Sequence, residues 1–451
     1  MSGGDGAGTV LPGRRPPSPQ AGGRPSLTGR CRVPGDKAIS HRAAILAALA
    51  TGTSRVRGFS PAGDCRRTVE VLRGLGAKVE LAEERAGPSL GPTLLVDGKG
   101  WEGLRPPAGP LDCGRSGTTM RLLAGVAAGL PFACVLTGDR QLLGRPMDRV
   151  AEPLRRMGAG VALRPGGLPP ISVRGGALRG IEYRLPVASA QVKSCVLLAG
   201  LRAAGTTAVV EELPTRDHTE RLLEAMGAPV RREPGRVSVS AGPLDPIDLV
   251  VPGDPSSAAP VVAAALLVPG SDVVVEDVGL NPGRVGFLRV LERMGAPVEV
   301  VSTSNGVEPA GAVRVHHGPL RGAGVQAAEV PSLIDELPLL GVLATQAEGV
   351  TEVRGASELR VKESDRISGL VVGLRALGAR VEELPDGFVV VGPTPLRGGR
   401  CDARSDHRLA MAFTVAGLVA EGPVEVVGME FVGDSFPGFE ATLRALSGGG
   451  R

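Results

Sequence analysis

Lysine and aromatic residues are scarce in this chain of 451 residues. Five of its 51 basic residues are lysines, and its rings amount to 8 Phe, 1 Trp and 1 Tyr. So few rings exclude stacking platforms for single-stranded nucleic acid. Charge of one sign is lacking too. The 47 acidic residues nearly balance the basic ones, leaving +4, and no long block of either sign occurs. A nucleic-acid role therefore has no electrostatic footprint. No apolar run reaches the ~18–20 residues of a membrane span. Six cysteines (31, 65, 113, 134, 195 and 401) lie far apart, with no Cys-x-x-Cys pair. That spacing predicts reduced thiols in a cytoplasmic protein and excludes a zinc ribbon. His41, His218, His316, His317 and His407 lack ligand spacing, so neither a metal nor another cofactor is expected. The first 26 residues, rich in Gly, Pro, Ser and Arg, read as a disordered extension without a signal-peptide core. Length alone predicts two to four domains.

Repetition is what the chain has in abundance. The phrase Leu/Met-Gly-Ala-x-Val occurs at Leu75–Val79, Met157–Val161, Met226–Val230, Met294–Val298 and Leu377–Val381, with a degenerate copy near Leu446-Ser447-Gly448. A second phrase runs through Ala, Leu and Val to a glycine and then a β-branched stretch. Its glycines are Gly52, Gly129, Gly205, Gly270, Gly349 and Gly422. The first phrase reads as an amphipathic helix ended by a left-handed glycine and followed by a strand. The second begins as a helix apolar on nearly every side, which must be buried all round. Six units of roughly βαβαββ form result, and three units per domain make two α/β domains.

Polar clusters precede each buried helix. They are Pro34 to Arg42, Cys113 to Arg121, Ala188 to Ser194, Gly253 to Ser257, Pro331 to Glu336 and Arg404 to Arg408. Capping explains the Ser and Asp residues. It does not explain Lys37, Arg42, Arg115, Arg121, Lys193 and Arg408. Cations beside the positive end of a helix dipole make an anion site. In a chain so poor in lysine, Lys37 points to a need for a compact, titratable ammonium. The amphipathic helices open on clusters of their own: Arg145 to Asp148, Arg216 to Thr219, and Lys362 to Arg366, read as the first turn and a half of one helix. Adjacent Lys362 and Glu363 in an electropositive cleft can exchange protons with a substrate, and Asp335-Glu336 supplies further carboxylates. No Walker loop or dinucleotide fingerprint follows a strand.

Together these segments, with Gly117 to Arg121, Ser189 to Ser194, Thr215 to Glu220 and Asp406-His407-Arg408, resemble 5-enolpyruvylshikimate-3-phosphate synthase, from about Leu27 to Phe439. The wording Ser-Ala-Gln-Val-Lys-Ser and Arg-Asp-His-Thr-Glu is similar to the bacterial branch often called class II. The resemblance implies a two-domain inside-out α/β barrel of six βαβαββ units, three per domain. It implies a monomer acting on phosphoenolpyruvate and shikimate 3-phosphate, in aromatic amino-acid biosynthesis. The chain is expected to cross between domains near Pro34-Gly35 and Pro252-Gly253. Residues 27–34 plus 253–451 then form one domain and 35–252 the other, with the active site in the cleft between them.

The resemblance also implies residue roles. Asp335 takes the proton of the attacking hydroxyl, while Lys37 and Glu363 handle protons at the enolpyruvyl carbon. Lys37, Ala38, Arg42, Ser189, Ala190, Gln191, Arg216, Asp335 and Lys362 hold shikimate 3-phosphate. Lys37, Gly117, Arg145, Gln191, Arg366 and Arg408 hold phosphoenolpyruvate. Three positions depart from the family pattern: Ala38 where Ser is usual, Arg115 where Asn is usual, and Asp434 where many relatives carry Lys. Arg115 is expected either to reach the substrate phosphate, replacing the hydroxyl lost at Ala38, or to point to solvent as a neutral substitution in an Arg-rich chain. Two alternatives stand beside this reading. One is a UDP-N-acetylglucosamine enolpyruvyl transferase, which calls for Lys-Asn near the start and a loop cysteine. The other is a non-catalytic ligand-binding relative.

Overall fold

A computed structural model describes residues 25–82 and 91–448. Most of the expected N-terminal extension, residues 1–24, lies outside the described residues. Six helices are buried along most of their length: Lys37–Leu49, Gly117–Ala128, Ala190–Gly200, Pro255–Leu267, Leu337–Gln346 and His407–Gly417. Their apolar composition on every face leaves no side to present to water, and each fully buried Val, Leu or Ile contributes about 1.5–3 kcal/mol. They approach closely. A Cβ at Gly125 would collide with the carbonyl of Cys195 on the neighbouring helix.

Sheets wrap these helices. Among the described residues there are five four-stranded sheets and one two-stranded sheet. In each four-stranded sheet the first two strands are parallel and a hairpin adds the other two antiparallel. One example runs Leu111–Asp112, Ala133–Thr137, Leu168–Arg174 and Gly160–Arg164. The sixth unit pairs only Gly399–Asp402 with Val424–Val427. That truncation matches the degenerate last copy of the repeat. Outside the buried set lie six amphipathic helices, from Gly63–Gly74 to Phe439–Leu446. The repeat glycines after them are left-handed, as at Gly76 (φ 83°) and Gly378 (φ 86°).

The buried apolar side chains fall into two separate clusters. One runs from Ile39 to Val251; the other takes Leu27 and Val33 and then Ala258 to Leu446. Strand Thr28–Arg32 pairs in parallel with Asp272–Gly279, and Asp248–Val250 with Thr51–Arg57, so each half closes its own sheets. Between the clusters the chain passes twice, side by side. Asp36 N–H donates to the Pro252 carbonyl (2.8 Å) and Asp254 N–H to the Pro34 carbonyl (2.8 Å). A Cβ at Gly35 would strike the Gly58 carbonyl, so only glycine fits this crossing.

Candidate active site

All six buried helices begin at one place. Lys37-Ala38, Gly117-Thr118, Ser189-Ala190, Asp254, Asp335 and His407-Arg408 line a single cavity of about 280 Å³ between the two halves. Five of these helices carry a side-chain cap: Asp36, Ser116, Ser189, Asp254 and Asp406 each accept a bond from a first-turn N–H. The remaining first-turn donors and the dipoles of six helices then add at one point. An anion is the ligand such a field selects.

Every residue assigned to a substrate from the sequence lines this cavity: Lys37, Ala38, Arg42, Gly117, Arg145, Ser189, Ala190, Gln191, Arg216, Asp335, Lys362, Glu363, Arg366 and Arg408. Their partners define the chemistry. Arg366 joins the two carboxylates, with Nη1 3.1 Å from Asp335 and Nη2 2.6 Å from Glu363, while its Nε holds Asp406 at 2.9 Å. Arg216 meets Asp335 at 2.6 Å, and Arg145 meets Glu363 at 3.1 Å, both from the opposite half. Burial by itself raises the Asp335 carboxyl, but Arg216, Arg408, Lys362 and Arg366 outweigh it and hold the group well below the usual carboxylate range. Glu363 is held low in the same way: burial opposes, and Arg145 and Arg366 prevail. Both acids are therefore ionised in this ligand-free arrangement.

The two cleft lysines differ. Burial brings Lys362 down to about 8, with Arg366 and Arg145 acting in the same direction against Asp335 and Glu363. Burial also lowers Lys37, yet its 2.9 Å pair with Asp64 leaves it raised above its ordinary value. Arg42 is largely committed already. Nε donates to Thr219 (2.7 Å), Nη1 to the Ala38 carbonyl (2.9 Å), and Nη2 to Ser194 (2.8 Å) and the Ala190 carbonyl (3.4 Å). Of the five N–H groups of a guanidinium, one on Nη1 is left for a ligand. Gln191 is held between Arg121 (2.8 Å) and Thr118 (2.8 Å). Arg121, Arg145 and Arg408 each keep a buried Nε–H without a hydrogen-bond partner among the described residues. Arg284, also in the cavity lining, keeps its Nε–H in the same state.

Two sequence expectations are corrected. Lys362 to Asp365 are not the first turn of a helix. The helix is Arg366–Ala376, and Asp365 is its cap, accepting from Ser368 N–H at 3.0 Å. The preceding residues must leave helical geometry for that cap to form, and this lets Lys362 and Glu363 both reach the cavity. Nor does Arg115 reach it. Its guanidinium bonds Gln141 and the Ser405 carbonyl and pairs with Asp434 at 3.1 Å. Any coupling to Ala38 through one phosphate therefore loses its geometric basis. Sequence reasoning also missed Asp64, Arg149, Arg284 and Glu358, which line the cavity. Asp64 and Arg284 belong to the first and fourth amphipathic-helix starts, so the rule that found Arg145 and Arg216 could have found them.

No described helix is long and apolar enough to cross a membrane. None of the six cysteines lines the cavity. A family model described as EPSP synthase (3-phosphoshikimate 1-carboxyvinyltransferase) matches residues 22–443. A protein of Halorhodospira halophila named 3-phosphoshikimate 1-carboxyvinyltransferase is 52% identical over 427 residues, covering 94% of this chain and 95% of that protein. One of the same name from Xanthomonas campestris pv. campestris is 49% identical over 429 residues, 94% and 96% of the two chains. A solved structure of EPSP synthase from Acinetobacter baumannii superposes with a TM-score of 0.82 at 42% identity, over 94% of this chain and 96% of that one. The enolpyruvyl transferase NikO from Streptomyces tendae shares the fold, with a TM-score of 0.73 at 20% identity over 94% and 95% of the chains. Matched along nearly its whole length in sequence and in fold, the chain belongs to the EPSP synthase family.

Proposed function

We propose that the cleft binds shikimate 3-phosphate and phosphoenolpyruvate and transfers the enolpyruvyl group to the 5-hydroxyl of the former, releasing phosphate. One observation carries this reading. Arg366 spans two ionised carboxylates, Asp335 and Glu363, inside a cavity onto which six helix starts converge. The reaction needs such an arrangement, because it loads two polyanions and moves two protons at neighbouring atoms. Asp335 takes the proton of the 5-hydroxyl, whose oxygen attacks C2 of phosphoenolpyruvate, while C3 accepts a proton from Glu363 or Lys37. The tetrahedral adduct then loses phosphate from C2, and C3 returns its proton to regenerate the double bond.

Lys37, Ala38, Arg42, Ser189, Ala190, Gln191, Arg216, Asp335 and Lys362 surround shikimate 3-phosphate in this proposal. Lys37, Gly117, Arg145, Gln191, Arg366 and Arg408 surround phosphoenolpyruvate. Arg145 and Arg366 now neutralise Glu363. When an anionic substrate takes those guanidinium groups, Glu363 loses its counter-charges and its proton affinity rises, which converts it into a donor. Fork-shaped pairing suits both carboxylate and phosphate.

The proposal further makes residues 35–252 one domain and 27–34 with 253–451 the other, hinged at the paired crossings. It takes the protein as a cytoplasmic monomer. Mixing the protein with both substrates tests the function: phosphate must appear only when both are present. Release from phosphoenolpyruvate and UDP-N-acetylglucosamine instead, or no release, overturns it.

A further inference from the structure

Arg115 lies beside the cleft with its side chain turned away from the ligand cavity. Nε and Nη2 both donate to Gln141 Oε1 (2.9 and 2.7 Å). Across the cleft, Nη2 donates to the Ser405 carbonyl (2.6 Å), Nη1 lies 3.1 Å from the Asp434 carboxylate, and the guanidinium stacks 4.0 Å from the Phe431 ring centre. One side chain from the 35–252 half thus grips the other half at three points. Isolated exposed ion pairs contribute ~0–1 kcal/mol, but this one is mostly buried and is braced by a ring, a carbonyl and an amide.

The segments it grips are those that carry ligand-handling groups. Gln141, fixed by Arg115, donates its amide to the Glu363 carbonyl at 2.7 Å. Ser405 (φ 57°) and Arg404 (φ 51°) are consecutive non-glycine residues in the left-handed region. Such residues persist only when neighbours hold them. Directly after them come Asp406, which binds Arg366 at 2.9 Å, and then Arg408. Two other cross-cleft pairs behave differently. Arg145–Glu363 and Arg216–Asp335 join ligand-handling residues and must open when substrates arrive. Arg115 and Asp434 lie outside the cavity lining, so their contact can persist with ligands in place.

We propose that Arg115 is a cross-cleft positioning residue, clasping Asp434, Phe431 and the Ser405 carbonyl so that the loops carrying Glu363 and Arg408 are held in the closed arrangement. This rests on the reading of Glu363 and Arg408 as ligand-handling residues. Loss of the clasp depopulates the binding-competent state, and apparent affinity falls by that fraction while saturating ligand restores closure.

The test uses full-length Arg115→Ala, Asp434→Ala and the double variant, with steady-state phosphate release and small-angle X-ray scattering. In Arg115→Ala, KM for phosphoenolpyruvate should rise about tenfold while kcat changes less than about threefold. Adding Asp434→Ala to it should cost less than about twofold more, because the pair is already broken. The ligand-free radius of gyration should increase and return to the wild-type value at saturation. Arg115→Lys, which keeps the charge but not the fork, should recover only part of the KM. If Arg115→Ala does not fold, Arg115→Gln carries the same measurements. Multiplicative effects of the two substitutions, or a lower Tm with unchanged KM, overturn the proposal. A wild-type protein that releases no phosphate overturns the assigned activity instead. The clasp is then judged by scattering, and an unchanged radius in Arg115→Ala refutes it.

Discussion

The two halves face the same cavity with different charges. The 35–252 half contributes Lys37, Arg42, Arg121, Arg145, Arg149 and Arg216 against the single carboxylate of Asp64. The 253–451 half balances Asp254, Asp335, Glu358 and Glu363 with Arg284, Lys362, Arg366 and Arg408. In the proposed reading the first wall is mainly an anion trap, with Lys37 as its proton-handling member, and the second holds Asp335 and Glu363 beside the substrate-binding Lys362, Arg366 and Arg408. Among the ion pairs that bridge them are Arg145–Glu363, Arg149–Glu358, Arg216–Asp335 and Arg115–Asp434. In these four the arginine comes from the first half and the carboxylate from the second, while Arg284–Asp36, at 3.8 Å, runs the other way. Without ligand, the acids of one wall stand in for substrate anions on the other. Two sets of repeated units built on one pattern thus differ in charge at equivalent helix starts.

The sharpest way to break this comparison is to neutralise the acid–base wall. Asp335→Asn or Glu363→Gln should cut kcat by ~10²–10⁴-fold while leaving shikimate 3-phosphate affinity within severalfold. Phosphate release and calorimetry read the two quantities. A loss below tenfold in both variants removes these residues from proton transfer.

Next in size is the trap wall. Arg216→Ala should raise KM for shikimate 3-phosphate by roughly 30-fold or more, the cost of about 2–5 kcal/mol for truncating one member of a buried charge pair. Its kcat should fall less than in Asp335→Asn. The reverse order of kcat effects would dissolve the distinction between the walls.

A pH titration sharpens the comparison further. Lys362 is the cation of the acid–base wall that burial brings down to about 8. Only its protonated form attracts phosphate or carboxylate, so affinity for shikimate 3-phosphate should weaken as pH rises through about 8, by up to tenfold per unit. Binding above that pH should take up a proton, because a bound anion favours the charged ammonium. Calorimetry in buffers of different ionisation enthalpy measures the uptake, and Lys362→Met should abolish it. The smallest effect belongs to Ala38. Restoring a hydroxyl with Ala38→Ser should improve shikimate 3-phosphate affinity by only about 0.5–1.5 kcal/mol. This gain should be the same in wild type and in Arg115→Asn, since Arg115 faces Asp434 rather than the cavity; a larger gain in the variant would return Arg115 to the phosphate.

Much of this was legible in the chain before any fold was considered. Helices apolar on all faces have only one solution, burial, and a left-handed turn after an amphipathic helix asks for glycine, so Gly76 and its repeats marked the architecture. Caps must sit at helix starts, so Asp36, Ser116, Ser189, Asp254 and Asp406 marked where donors are free. Those signals are local. They depend on residues a few positions apart, and the sequence states them directly. Its six copies also said that whatever one helix start does, the others share.

What only the tertiary structure decided is which charges meet. Arg216 lies 119 positions from Asp335, and Arg115 lies 290 from Ser405. No periodicity relates such pairs. Arg115 looked like a phosphate ligand because it stands beside Gly117 at a helix start, and its neighbours in sequence gave no sign of Asp434. Side-chain direction at a helix start is set by the surface facing it, and here that surface belongs to the other half of the molecule. Local pattern fixes where a donor or an acid is placed along an element. The packing of one half against the other determines whether it meets a substrate, a counter-charge or a clasp.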